Sequence, residues 1–152
     1  MVREEPESLR APVFDLEERT ALFGEAVIHF ARRIPLHPVN NRLIDQLVGA
    51  ATSVGANYCE SDDAVSKKEF IVNINRCRKE SRETKFFLRM VAAAEPSLKL
   101  DARPLWREAK ELNLIFASIV RATRKGMANS NAQKGKGQGI GIVRLPGARG
   151  DG

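Results

Sequence analysis

The residues this chain uses sparingly narrow its chemistry first. Histidine occurs twice, at His29 and His37, and neither stands three residues after a glutamate. The Glu-x-x-His pairs that hold di-metal centres inside helical bundles are therefore missing, and no metal or cofactor is expected. Cysteine also occurs twice, at Cys59 and Cys77. Two cysteines set within helical patterns are too few for a disulfide framework and read as reduced thiols. No apolar run approaches the roughly 20 residues needed to cross a bilayer, and the opening MVREEPES lacks the apolar stretch of a secretory signal. These absences predict a cytoplasmic protein with no membrane partner. Acidic residues are outnumbered, 19 Asp and Glu against 25 Lys and Arg, and the resulting +6 favours nucleic acid or another acidic surface as partner.

Helical patterns fill the chain instead. Residues 1–14, with Pro6 and Pro12 among mixed charges, read as a flexible arm. Asp15 and Glu18 stand in the D-x-x-E relation of a helix start, and Leu16, Phe23, Val27, Phe30 and Ile34 then form one apolar face up to Pro35. Pro38 belongs to a link that does not continue helically, with Asn40 or Asn41 as the cap of the next helix. That helix carries Leu43, Ile44, Leu47, Val48, Ala51, Val54 and Tyr58 on one side. Its small residues, Gly49 to Ser53 with Gly55 and Ala56, predict that something packs closely against it. A polar stripe of Arg42, Gln46, Ser53, Asn57 and Glu60 is either solvated surface or a subunit or ligand contact.

A third helix opens with the capping box Ser66 to Glu69 and buries Phe70, Ile74, Cys77, Ser81, Leu88 and Val91. At about 100° per residue, Lys67, Arg78, Arg82, Lys85 and Arg89 gather on a neighbouring arc. Five cations so spaced repel one another unless carboxylates or an anionic partner offset them. They are the candidate nucleic-acid-binding residues, with Glu60, Glu80 and Glu83 as the carboxylates that would otherwise occupy them. Phe86 and Met90 fall away from core and stripe, which favours self-association. Phe86 is the one aromatic noted beside the stripe, so phosphate contacts without base readout are expected.

Glu95-Pro96 ends this helix, and Asp101 caps a fourth with Pro104 in its first turn. Leu105, Ala109, Leu112, Phe116, Ile119 and Val120 are its core face, Arg121, Arg124 and Lys125 complement its negative end, and Gly126 closes it. Four amphipathic helices with short links predict an all-α domain over residues 15–125, an antiparallel up-down four-helix bundle. Residues 126–152 hold 8 of the 11 glycines and carry +3 through Lys134, Lys136, Arg144 and Arg149 against Asp151. They are expected to form a disordered basic tail. GKGQGIG lacks the Lys-Ser/Thr pair of a phosphate-binding loop, and Arg149-Gly150-Asp151 and IGIVRLP carry no specific reading.

The strings RLIDQLVGAATSVGANYCES, SKKEFIVNINRCRKESRETKFFLRMV and ELNLIFASIVRATRK together resemble a family. Its members are four-helix-bundle proteins encoded in intervening sequences of bacterial large-subunit ribosomal RNA genes, similar to the accessory protein of diversity-generating retroelements. The resemblance implies a left-handed antiparallel bundle, a homopentameric ring, a basic surface that binds nucleic acid, and a reverse transcriptase as a further partner. It covers most of residues 39–125 and says nothing of the glycine-rich extension. No nucleophile with a base is evident, Ser81 included, and Glu60, Glu80 and Glu83 stand beside basic residues as solvated or paired helical glutamates do. The sequence therefore predicts a non-enzymatic oligomer that contacts the RNA or DNA backbone. A protein-binding oligomeric scaffold, such as a reverse transcriptase accessory protein, is the alternative.

Overall fold

The computed structural model describes residues 15–138 and is all-helical over them. Helix α1 spans Leu16–Ala31, α2 Pro38–Asp62, α3 Lys67–Ala94 and α4 Lys99–Gln138, with a 3-10 turn at Pro96–Leu98 leading into α4. Expectations for the arm 1–14 and for residues 139–152 lie outside the described residues.

Local chemistry sets most of the boundaries. The Asp15 carboxylate accepts from the Glu18 N–H at 3.0 Å and so satisfies a free donor of the first turn of α1. At α3 the Ser66 hydroxyl caps the helix by accepting from the Glu69 N–H at 3.1 Å, and the Glu69 carboxylate reaches back one residue beyond the cap to accept from the Val65 N–H at 3.2 Å.

Three boundaries differ from expectation. Pro38 opens α2 at its first turn, where a missing N–H is harmless. The cap is His37, whose Nδ1 accepts from the Val39 N–H at 3.2 Å, and Asn41 Oδ1 accepts in return from the His37 N–H at 3.2 Å. Asn40 is instead buried and donates at 2.9 Å to both the Pro35 carbonyl and Glu95, fastening the α1–α2 link to the end of α3. At α4 the 3-10 turn starts the helix at Lys99, which leaves Pro104 inside it. Asp101 lies in its first turn and pairs with Arg33 at 2.8 Å.

The largest difference is the end of α4. Gly126 does not close it; the helix continues to Gln138, so the expected disorder of the tail does not hold for residues 126–138. A glycine ends a helix by turning left-handed, and no described glycine has a positive φ. From Gly126 to Lys136 all side chains but the half-buried Met127 are exposed, so this segment extends α4 past the packed region.

Each helix packs on its sequence neighbour and α1 closes on α4, giving a four-helix bundle around one core. Phe23, Val27, Leu47, Val54, Ile74, Leu88, Leu112 and Phe116 fill that core. Buried hydroxyls are satisfied within their own helices: Thr20 donates to the Leu16 carbonyl at 2.6 Å and Ser81 to the Cys77 carbonyl at 2.8 Å. Much of the small-residue surface of α2 serves α1. A methyl added at Gly55 would lie 3.3 Å from the Thr20 hydroxyl oxygen, and one at Gly24 of α1 would lie 3.7 Å from the Ala51 carbonyl. Gly49 has open space before it. Among the described residues no helix is long and apolar enough to cross a membrane.

Candidate nucleic-acid interface

Arg78, Lys85 and Arg89 lie along the side of α3 that borders α4, whereas Arg82 lines a groove on the other side with Gln46 of α2. Arg78, Arg82 and Arg89 are exposed and Lys85 is half-buried. From Arg78 to Arg89 they span 12 residues of helix, about 16 Å from first to last at 1.5 Å per residue. Lys67 is exposed too, but as the first residue of α3 it stands roughly 16 Å beyond Arg78. The structure therefore keeps Arg78, Lys85 and Arg89 together on the α4 side, sets Arg82 at the margin toward α2 and leaves Lys67 at the end of the helix.

Packing adds a second row. Lys99, Arg103 and Arg107 of α4 line a cleft with Arg89 of α3, and farther along Arg121 and Arg124 line a shallow groove with Arg78. Between them the Asn113 amide donates to the Arg78 carbonyl at 2.8 Å, holding the register of α3 on α4. The α4 cations follow at spacings of four, four, fourteen and three residues and so share a side of that helix. This recurrence was legible in the sequence. What hid it was the reading of Arg121 and Arg124 as partners of the helix dipole alone.

Carboxylates are directed elsewhere. The Arg19 guanidinium of α1 holds both Glu108 and Glu111 of α4, at 2.7 and 2.9 Å, and Asp101 is held by Arg33. These pairs hold the Arg19 guanidinium above its ordinary pKa, chiefly through the bond to Glu108. Burial, followed by the Glu83 charge, pushes the Glu80 carboxyl up. Among the described residues, none of the two cation rows lies within 4.0 Å of a carboxylate. The ion pairs to Glu60, Glu80 and Glu83 weighed from the sequence do not form.

Trp106 adds to a second expectation. Besides Phe86, which lies by Arg82, the stripe borders this half-buried indole on α4, with Lys85 Nζ 5.4 Å and Lys110 Nζ 5.6 Å from its ring centre. Such contacts at accessible sites contribute about 0.5–1 kcal/mol. Phe86 is turned from this cleft toward α2, where it meets Phe87 edge to face at 5.3 Å and lines a groove with Gln46 and with Lys79, Arg82 and Glu83 of α3. Trp106 lies far from the stripe in sequence, and only the pairing of α3 with α4 brings them together.

The cleft beside Trp106 has a volume of about 330 Å³. Leu88, Ala92 and Ala102 supply its apolar surface, with Arg89, Lys99, Arg103 and Arg107 around it. Among the described residues no cluster of three His, Cys, Asp or Glu side chains is placed to hold a metal ion. Burial pushes the Cys77 thiol up to about 12, so it carries almost no thiolate near neutrality.

No protein-family model matches the chain, and no curated protein matches it. Among solved structures it is similar to a protein with unknown function from the S23 ribosomal protein family of Bacteroides thetaiotaomicron VPI-5482. The two are 23% identical, and the match covers 68% of this chain and 96% of that one with a TM-score of 0.60. At that identity the likeness shows the fold.

Proposed function

We propose that this protein is a non-enzymatic, oligomeric four-helix bundle that binds the RNA or DNA backbone along the α3–α4 face. The observation that carries the reading is the segregation of charge. Glu108 and Glu111 of α4 pair with Arg19 of α1, and Asp101 pairs with Arg33. Arg78, Lys85 and Arg89 meet Lys99, Arg103, Arg107, Arg121 and Arg124, with Arg82 exposed at the margin, and none of these cations has a carboxylate within ion-pair distance among the described residues. So many like charges on one face are stabilised by an anion that supplies repeated phosphates. Arginine suits this role because its planar fork grips phosphate through two hydrogen bonds. Closure into a ring, with five copies as the resemblance implies, would repeat the face and multiply the contacts.

A second reading has its own observation. Phe86 is 52% exposed beside Phe87, and Phe87 also lines a groove with Pro38, Val39 and Leu43 between α2 and α3. An apolar surface of this kind suits a protein partner, a reverse transcriptase among them, and would make the molecule a scaffold.

One experiment separates the two. Replacing Arg78, Arg82 and Arg89 by Gln should leave the helical spectrum and the oligomer size unchanged. Binding to unrelated RNA and DNA duplexes should weaken, and the log–log dependence on salt should become shallower by as much as about 0.9 per lost phosphate contact. Unchanged affinity and slope in the folded variant would move the function to the scaffold surface.

A further inference from the structure

The groove at Arg78, Arg121 and Arg124 has a mainly polar lining, as suits a phosphate backbone, but the cleft beside Trp106 is built differently. Its floor is apolar, with Leu88 and Ala102 buried and Ala92 and Trp106 half-buried, and four cations stand around it. A bare phosphate gains nothing from the apolar floor. A fatty acid offers a single carboxylate to four cations. A duplex presents phosphates while its bases remain stacked inside. Unpaired nucleic acid alone among these offers a flat apolar ring flanked by several negative charges.

We propose that the α3–α4 cleft takes one unpaired base, seated against Trp106 and the apolar floor, with the adjoining phosphates on Arg89, Lys99, Arg103 and Arg107. The volume of about 330 Å³ lies at the small end of ligand sites, room for one base rather than several. Lys99, Arg103 and Arg107 follow one another at four-residue intervals, about 6 Å along the axis of α4, a row suited to successive phosphates. The contacts of Lys85 and Lys110 with the indole are weaker than the stacking of a base on an aromatic ring, so the incoming base displaces them. The consequence is a preference for single strands over duplexes of equal length. This inference rests on the proposed nucleic-acid binding and goes beyond it.

Trp106 is the only tryptophan, so its fluorescence reports on this cleft alone. The full-length protein would be titrated with a single-stranded oligonucleotide and with its duplex at one salt concentration, following both tryptophan emission and the anisotropy of the labelled nucleic acid. The single strand should bind more tightly and shift the emission more. Trp106→Leu should weaken single-strand binding about tenfold and leave the duplex nearly unaffected, and Trp106→Phe should recover most of the loss. Ala92→Leu, which fills the cleft and keeps the indole, should abolish the preference for single strands; it decides the matter if Trp106→Leu fails to fold. Equal affinity for both forms with silent emission would overturn the inference and leave backbone binding standing. Absence of binding to either form would overturn both.

Discussion

Glu80 and Glu83 show how two like residues couple within a helical turn. Both sit half-buried on α3 among Arg78, Lys79, Arg82 and Lys85, and the Glu80 carboxyl is pushed up by burial first and by the Glu83 charge second. The folded state therefore binds the Glu80 proton more tightly than the unfolded chain does. The stability this contributes is complete below the ordinary carboxyl range and is lost as pH rises through the raised folded value. Glu80→Gln, which keeps the amide neutral at every pH, is expected to raise the thermal midpoint at pH 7 to 8 and to have little effect near pH 4. Circular dichroism melts at the two pH values check this. At the same scale, residues whose role depends on near neighbours were legible before the structure. Asp15 and the pair Ser66 and Glu69 cap helices as expected, because a cap reaches only three residues along the chain. Asn40 was not legible as a clamp between the α1–α2 link and Glu95, because its partner lies 55 residues away.

At the scale of elements, α3 was read well and α4 less well. The basic arc of α3 follows from 3.6-residue periodicity and needs no tertiary information. The row on α4 shares that periodicity, but its function as the other half of a face arises when Asn113 and the core lock the two helices side by side. The length of α4 was misjudged because glycine is a weak helix former on average, costing about 1 kcal/mol relative to alanine, and still permits a helix to continue. Beyond Met127 the overhang through Lys136 exposes every side chain, Lys134 and Lys136 among them, and so adds charge without adding core. Ending the chain after Ala128 is thus expected to leave the thermal midpoint almost unchanged. It should weaken nucleic-acid binding modestly and lower its salt slope, through the lost Lys and Arg. Thermal melts and salt-dependent titrations of the shortened chain test both halves of the expectation.

At the scale of the whole molecule, the overhang of α4 makes size and mass separate quantities. Forty helical residues extend about 60 Å, whereas a compact chain of 152 residues has a radius of gyration near 15 Å. Such a particle drags more water and rotates more slowly than a sphere of equal mass. Gel-filtration volume will therefore overstate the number of chains, and the error will grow if several overhangs radiate from one ring. Static light scattering is insensitive to drag. For the ring proposed above it should return five times 16.9 kDa at tens of micromolar, while the elution volume alone suggests more. A scattering mass of a single chain would show the apparent assembly to be one elongated rotor.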